Sequence, residues 1–281
     1  MATIGIRSEH RCFGGTQGYY THMSVATGTK MNFSVFAPPQ VAQGRVPALY
    51  FLAGLTCTDE TFMIKAGAQR AAAELGLTLV TCDTSPRGLG YADESESWDF
   101  GLGAGFYVDA TEAPWSNGYR MGSYVNDELP AVVEENFPVD PVNRGICGHS
   151  MGGHGALVTA LRHPARWRSV SAIAPISNPT EVPWGEKAFA RFLGADRARW
   201  AEWDASLLMT AQAHQSEILV DQGEADAFLE RELRPHTLSA AAEISGQRLR
   251  LRRHTGYDHG YFFVQSIIED HLRHHWAVLA G

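Results

Sequence analysis

The sequence predicts an α/β fold with a mostly parallel central sheet flanked by helices. Short apolar runs typical of strands alternate with longer segments, several of which have a helical pattern. This alternation favours parallel pairing, because parallel neighbours need a long crossover connection. The chain has 281 residues, 44% of them hydrophobic and 19% charged. That is enough for one large core, so we expect a single domain over residues 1–281.

The strands and helices can be placed along the chain. The predicted strands are 31–37, 48–53, 77–82, 145–147, 170–174, 218–221 and 249–252. The predicted helices are 60–75, 124–136, 153–162 and 261–279. The third helix stops at His163-Pro164, because the residue before a proline disfavours the helical conformation. We expect the first few strands to pair antiparallel at one edge of the sheet.

Two long stretches, near 85–119 and 175–214, do not follow the alternation. Both contain tryptophans, and we expect irregular excursions over the sheet. Loops at the carboxyl ends of parallel strands carry the sites of such folds, so these insertions are expected to form the pocket. Trp184, in the second insertion, either walls that pocket or packs within the insertion itself.

The composition excludes some classes of partner. The formal net charge is −8 with both signs scattered, which predicts no nucleic-acid surface. No stretch approaches the ~20 consecutive apolar residues of a membrane-spanning helix, and the first residues lack the pattern of a signal peptide. We therefore expect a cytoplasmic protein without membrane contact.

The four cysteines lack paired spacing and are expected to be free thiols: Cys12, Cys57, Cys82 and Cys147.

Ser150 is the first candidate catalytic residue. It lies in Gly-His-Ser-Met-Gly-Gly at 148–153, between an apolar run and a helix-compatible stretch, which is the context of a nucleophile elbow. The glycines are needed because such a serine sits on a sharp, strained turn with close-packed neighbours. By itself the pattern is only a flexible turn, but a suitable base and acid further along the chain favour the nucleophile.

A serine hydroxyl needs an imidazole to accept its proton and a carboxylate to hold that imidazole in the right tautomer. His254 and His259 follow the last predicted strand, and His259 is the better placed. The candidate acids are Asp221, Glu224, Asp226 and Asp258. We prefer Asp226, because Asp221 is expected to end a strand. Asp258 is adjacent in sequence to His259 and poorly placed to reach its ring. These arguments leave the choice open.

The oxyanion that forms during attack on a carbonyl needs two backbone N–H donors. Met151, the residue after the nucleophile, is expected to supply one. The second is expected from the loop 53–57, with Leu55 as donor, although an ordinary glycine turn there would supply none.

Cys57 lies two residues from that donor. We favour a thiol beside the pocket without catalytic duty over a small buried filler.

Longer segments resemble S-formylglutathione hydrolase, the esterase D family. They are Leu-Thr-Cys-Thr at 55–58, Asp-Thr-Ser-Pro-Arg-Gly at 83–88, Trp-Asp-Phe-Gly at 98–101, Gly-Phe-Tyr-Val-Asp-Ala-Thr at 105–111 and the elbow at 148–153. Further matches extend the resemblance over nearly the whole chain: Asn-Pro at 178–179, Val-Pro-Trp-Gly at 182–185, Asp-Gln-Gly at 221–223, Asp-Ala-Phe-Leu at 226–229, Gly-Tyr-Asp-His at 256–259 and Tyr-Phe-Phe at 261–263.

This resemblance implies an α/β-hydrolase fold and the hydrolysis of S-formylglutathione to glutathione and formate, in formaldehyde detoxification, often by a homodimer. It implies a triad of Ser150, Asp226 and His259. It also implies oxyanion donors at Leu55 and Met151.

Two glycines depart from the family pattern. Gly122 stands where an aromatic residue is common, and Gly260 stands where a serine is common. Neither belongs to the triad, so the expected effect is on pocket size or loop mobility and hence on substrate preference.

The terminal helix carries three histidines at helical spacing, His271, His274 and His275. Such a set could bind a metal ion. The run Asp-His-Leu-Arg-His-His at 270–275, near the C-terminus, is more typical of a solvated helix face, so no metal site is predicted.

The predicted chemistry is a two-step acyl transfer from a small-molecule thioester or ester, first to Ser150 and then to water. It needs neither a metal nor an organic cofactor. A broad short-chain carboxylesterase and an acyltransferase would share the same residues and are the enzymatic alternatives. A catalytically silent binding module is disfavoured by the complete set of triad residues.

Overall fold

A nine-stranded sheet forms the centre of the structure, a computed structural model that describes residues 3–281. The strands are β1 (Gly5–Cys12), β2 (Gly15–Met23), β3 (Lys30–Ala37), β4 (Val46–Leu52), β5 (Thr78–Cys82), β6 (Val139–His149), β7 (Ser169–Ile173), β8 (Ile218–Gly223) and β9 (Leu249–His254). They lie in the order β1-β2-β3-β5-β4-β6-β7-β8-β9. The pairs up to β3/β5 are antiparallel and the later pairs are parallel. The mostly parallel sheet with an antiparallel edge is therefore confirmed.

Helices flank this sheet. They are α1 (Asp59–Lys65), α2 (Gln69–Leu75), α3 (Met121–Ser123), α4 (Leu129–Asn136), α5 (Met151–Arg162), α6 (Pro183–Phe192), α7 (Arg197–Ala201), α8 (Ala205–Ala211), α9 (His236–Ser245) and α10 (Tyr261–Leu279). Helix α5 packs against β4, β6 and β7, and α10 packs against β6, β7 and α2. Within residues 3–281, no helix is both long enough and apolar enough to cross a membrane.

Glycine and proline explain two differences from the predicted helices. The segment 60–75 is divided into α1 and α2, and Gly67 between them has φ +68°, a left-handed conformation that ends a helix. The segment 124–136 begins as a π-helical stretch, Tyr124–Glu128, before α4. Pro130 lies in the first turn of α4, and because proline has no N–H it removes one helical hydrogen bond there.

Two further segments differ from the expectation. The sequence pattern predicts no strand before residue 31, yet β1 and β2 form a hairpin there. Strand β1 is exposed along most of its length, so it lacks the apolar alternation that indicates a strand. The expectation of an irregular excursion over 175–214 is also wrong, because this insertion contains α6, α7 and α8. Asp196 and Asp204 cap α7 and α8 with their carboxylates.

The central parallel strands are buried on both faces. Every residue of β5, β7 and β8 is buried, as is typical of parallel strands covered by helices. Trp167 is fully buried against Tyr50, with ring centroids 5.3 Å apart. The close-packed core therefore fixes the carboxyl ends of these strands relative to one another.

Two of the C-terminal histidines are buried between α10 and the sheet. The Nε2 atom of His271 lies 2.9 Å from a carboxylate oxygen of Asp221, and its Nδ1 atom lies 2.8 Å from the Ser171 hydroxyl. The ring nitrogens of His275 lie 2.6 and 2.8 Å from the hydroxyls of Ser169 and Ser171. The expected solvated helix face is therefore wrong for both residues, because β7 presents hydroxyls that pair with the imidazoles.

Burial makes the folded protein favour neutral histidines. All twelve histidines lie within residues 3–281, and burial lowers the pKa of eight of them: His22, His149, His154, His163, His214, His271, His274 and His275. For the fully buried His154 the pKa falls to about 4. The unfolded chain takes up protons on these groups at a higher pH than the folded protein does. Their contribution to stability is therefore complete above the ordinary histidine pKa and is lost as the pH falls.

We expect the free energy of unfolding, measured by urea denaturation, to fall steeply between about pH 6.5 and pH 4. The lowered pKa of His154 accounts for about 3 kcal/mol of this fall. His154→Gln keeps a donor for the Phe106 carbonyl, 3.0 Å from the imidazole, and should make the pH dependence shallower. His236→Gln, at an exposed position, is the matched control. An unfolding free energy that stays constant from about pH 8 to pH 5 would contradict this account.

Candidate active site

Ser150 occupies the sharp turn between β6 and α5. Its backbone lies at φ 60° and ψ −121°, a sparsely populated conformation that costs about 1–3 kcal/mol and persists only where packing enforces it. Two glycines allow that packing. A Cβ on Gly148 would lie 2.0 Å from the carbonyl oxygen of Gly152, and a Cβ on Gly152 would lie 2.0 Å from that of Leu52. The geometry is that of a nucleophile elbow.

A carboxylate and an imidazole meet beyond the ends of the next strands. Asp226 follows β8 and His259 follows β9, and Oδ2 of Asp226 lies 2.6 Å from Nδ1 of His259. The other oxygen of Asp226 accepts the backbone N–H of Phe228 at 2.8 Å, and Gln222 donates to Oδ2 at 3.2 Å. The Asp226 side chain has no solvent exposure. Its contacts therefore hold the carboxylate in place behind the imidazole.

The other acid candidates are engaged elsewhere. Asp258 accepts the backbone N–H of Gly260 at 2.9 Å, and Glu224 accepts the Thr255 hydroxyl. Of the four acids considered from the sequence, the structure brings Asp226 to His259.

A second Asp–His pair holds β8 to β9. The Nε2 atom of His254 lies 3.0 Å from Oδ1 of Asp221, which also accepts the Nε–H of Arg252 at 2.6 Å. Burial opposes ionisation of Asp221, but hydrogen bonds from His271 and Arg252 hold its pKa well below the usual range. This pair lies within the paired strands, so its role is to join them.

Two rings enclose the imidazole of His259. The ring of His149 lies 4.7 Å from it at an interplanar angle of 40°, and the ring of Phe228 lies 5.1 Å from it at 83°. Burial and the neighbouring His259 lower the pKa of His149 well below its usual value. A neutral ring and an aromatic ring therefore restrict the orientation of His259.

The loop after β4 approaches Ser150 closely. A Cβ on Gly54 would lie 3.1 Å from the Cβ of Ser150. In this loop the N–H groups of Thr56 and Cys57 donate to backbone carbonyls, whereas that of Leu55 has no backbone acceptor within residues 3–281. Met151 is the first residue of α5, so its N–H has no intrahelical acceptor. The N–H groups of the two predicted oxyanion donors, Leu55 and Met151, are thus not used in hydrogen bonds of the loop or of the helix.

Ser150 and His259 line one cavity of about 190 Å³, together with Leu55 and Trp184. Trp184 therefore walls this cavity, and its ring centroid lies 4.8 Å from that of Phe228. Each of the two predicted insertions contributes a tryptophan to the wall, since Trp98 and Trp184 both line the cavity.

Two wall residues, Trp98 and Phe228, were not singled out by sequence reasoning. Trp98 lies in the first predicted insertion, and Phe228 lies two residues after Asp226. The signals that could have identified them are the position of Phe228 beside Asp226 and that of Trp98 in an insertion expected to form the pocket. Which ring faces the cavity, however, depends on the tertiary fold.

Cys57 lines the same cavity, as expected from its position near Leu55. The four cysteines are free thiols. Burial raises the pKa of the Cys57 thiol, so at neutral pH the thiol is protonated and weakly nucleophilic.

Gly122 lies at a different cavity, lined also by Arg162 and Trp203. A Cβ on Gly122 would lie 2.6 Å from the ring of Trp203. The glycine therefore makes room for Trp203 and does not enlarge the cavity at Ser150. Gly260, the other departure, immediately precedes α10.

Among residues 3–281, no group of three or more histidine, cysteine, aspartate or glutamate side chains is placed to hold a metal ion.

A serine elbow at the centre of a mostly parallel sheet defines the α/β-hydrolase class, and comparison with known proteins agrees. Residues 24–276 match the family model described as putative esterase. The class is therefore that of the serine-dependent esterases.

Full-length relatives narrow this class. The S-formylglutathione hydrolase of Paracoccus denitrificans (strain Pd 1222) is 53% identical over 268 residues, which cover 95% of each protein. That of Mus musculus is 51% identical over 270 residues, covering 95% of this chain and 96% of the relative. The structure of an S-formylglutathione hydrolase from Agrobacterium tumefaciens matches 98% of this chain and 99% of that chain, with a TM-score of 0.96 and 46% identity. The chain belongs to the S-formylglutathione hydrolase family.

We expect Asp226→Asn to lower kcat by about 10³- to 10⁴-fold, because an amide can hold the imidazole in the wrong tautomer. The melting temperature should change little, since the amide fills the same space. Ester hydrolysis and thermal unfolding measure the two effects. Asp258→Asn, a change of the same kind on the adjacent loop, is the control and should keep wild-type activity. An Asp226→Asn enzyme within about tenfold of wild type would exclude this carboxylate as the acid of the triad.

Proposed function

We propose that this chain hydrolyses S-formylglutathione to glutathione and formate through an acyl-enzyme on Ser150. The full-length similarity to proteins named S-formylglutathione hydrolase carries this proposal. The cavity at Ser150 supports it, because a volume of about 190 Å³ beside an aromatic wall suits a small acyl group.

In the first half-reaction, His259 takes the proton of Ser150 as the serine oxygen attacks the formyl carbonyl. Because Nδ1 of His259 is engaged by Asp226, Nε2 is the nitrogen that accepts this proton. The N–H groups of Leu55 and Met151 stabilise the oxyanion. The tetrahedral intermediate then collapses with cleavage of the C–S bond, and His259 returns the proton to the departing sulfur of glutathione.

In the second half-reaction, water attacks the formyl ester on Ser150. His259 accepts a proton from the water and delivers it to the serine oxygen as formate leaves. Asp226 stays ionised throughout, and it stabilises the imidazolium that forms in each half-reaction.

A broad short-chain carboxylesterase is the second candidate. The aromatic side chains of Trp98, Trp184 and Phe228 in the cavity wall favour it, because an apolar wall accepts simple alkyl or aryl esters. The two reactions would use the same residues, so relative turnover distinguishes them.

We also propose that the enzyme is a cytoplasmic homodimer acting in formaldehyde detoxification. The four free cysteines support the compartment, because oxidising compartments favour disulfides. The family resemblance supports the dimer, and light scattering on the purified protein measures it.

We expect wild type to have a higher kcat/KM for S-formylglutathione than for 4-nitrophenyl acetate. Ser150→Ala should lower turnover of both by about 10⁴-fold or more, because the nucleophile is lost. Ser266→Ala, which removes an exposed hydroxyl on α10, is the matched control. Circular dichroism should show that each variant is folded.

Either of two results would change this proposal. Wild-type activity in Ser150→Ala would exclude the acyl-enzyme on this serine. A higher kcat/KM for the simple ester would make the chain a carboxylesterase.

A further inference from the structure

A second cavity, of about 490 Å³, adjoins the cavity at Ser150. The side chains of Trp98, Trp184 and Phe228 line both cavities. The ring centroids of Trp98 and Trp184 lie 5.5 Å apart, and those of Trp184 and Phe228 lie 4.8 Å apart. These three rings therefore form a wall that the two cavities share. A single elongated molecule can occupy both cavities, with one end at Ser150 and the other in the second cavity.

Four charged side chains line this second cavity, which we call the charged groove: Asp99, Lys187, Arg231 and Glu232. They form two ion pairs. The Nζ atom of Lys187 lies 2.5 Å from Asp99, and Nε of Arg231 lies 3.3 Å from Glu232. The charged groove therefore presents both signs of charge a short distance from the aromatic wall.

The cations are the accessible members of these pairs. The side chains of Lys187 and Arg231 are 38% and 77% exposed, compared with 15% for Asp99 and 4% for Glu232. Glu232 also accepts the backbone N–H of Trp184 at 3.0 Å, so its carboxylate is committed to the wall. An entering ligand therefore meets the two cations first, and anionic groups on that ligand are favoured.

We propose that the charged groove binds the peptide part of the glutathione thioester, with Lys187 and Arg231 holding its two carboxylates and Asp99 its ammonium group. This assignment rests on the proposed function. Glutathione at neutral pH carries two carboxylates and one ammonium group, which complement two accessible cations and a neighbouring carboxylate. Its thiol lies in the middle of the peptide, so the formyl group can enter the cavity at Ser150 while the charged ends stay in the groove.

This arrangement separates the binding of the carrier from the chemistry. The charged groove holds a part of the substrate that does not react, so contacts there act equally on the bound substrate and on the transition state. Loss of such uniform binding raises KM and leaves kcat unchanged. The groove would then set the preference for glutathione thioesters over neutral thioesters of the same acyl group.

The test compares Lys187→Gln, Arg231→Gln and the double variant on two substrates, S-formylglutathione and the neutral thioester S-formyl-N-acetylcysteamine. For each single variant we expect the KM for S-formylglutathione to rise about threefold to tenfold, the range of partly exposed charged contacts, with kcat changed less than about twofold. The double variant should lose most of the wild-type preference for S-formylglutathione over the neutral thioester. Lys30→Gln, at an exposed position at the start of β3, is the matched control.

Salt provides a measurement that needs no variant. Raising the ionic strength should raise the wild-type KM for S-formylglutathione and leave that for the neutral thioester unchanged, because accessible charge pairs are screened. This result would support the groove even if a variant failed to fold.

Two results would overturn the proposal, and they are distinguishable. If wild type hydrolyses S-formylglutathione but the double variant keeps the full preference for it, the charged groove is not the carrier site and the proposed function stands. If wild type itself does not hydrolyse S-formylglutathione, the proposed function fails together with the groove, and this is seen before any variant is made.

Discussion

The backbone of Ser150 is held at a positive φ, and the geometry of the whole site depends on that constraint. The Ser150 N–H donates to the carbonyl of Ile173 on the neighbouring strand at 2.9 Å, which fixes the turn against the sheet. Gly148 and Gly152 allow the strand and the helix to approach where any Cβ would collide with a carbonyl. As α5 begins directly after the serine, the N–H of Met151 has no acceptor within the helix. Strain of about 1–3 kcal/mol is thus offset by close packing.

Sheet topology brings together residues that are far apart in sequence. Ser150 follows β6, Asp226 follows β8, His259 follows β9 and Leu55 follows β4, and these strands belong to one parallel run. Because parallel strands all end at the same edge of a sheet, four distant segments meet there. The insertions that follow the strands then add the aromatic wall and the charged groove above this edge.

Local patterns were sufficient for much of the fold and for the elbow. The Gly-His-Ser-Met-Gly-Gly motif identifies Ser150 because the glycines that the strained turn needs lie within a few residues of the serine. Helix α10 matches the predicted 261–279 because its helical pattern is likewise contained in the local sequence. The acid could not be chosen in this way. Asp226 with His259 and Asp221 with His254 are both separated by 33 residues. Only the positions of β8 and β9 decide which pair joins the strands and which pair lies beyond their ends.

Tertiary pairing also explains why the C-terminal histidines were misinterpreted. On a helical projection His271 and His275 share a face with Ile267, Ile268 and Leu279. Their burial on that face depends on partners elsewhere in the chain, which are hydroxyls and a carboxylate on β7 and β8. Those partners lie between 50 and 106 residues away in sequence and have no local signature. The same holds for Trp98 and Phe228, whose roles in the wall come from the way the two insertions fold over the sheet.

The central claim is that the strained elbow makes Ser150 the nucleophile, and labelling of the folded and unfolded protein with a fluorophosphonate tests it most directly. Peptide mass mapping should find one adduct per folded chain, on Ser150, and none on the chain unfolded in urea, because the reactivity comes from the folded arrangement with His259. Labelling at another residue of the folded protein, or equal labelling of Ser150 in the unfolded chain, would contradict the account.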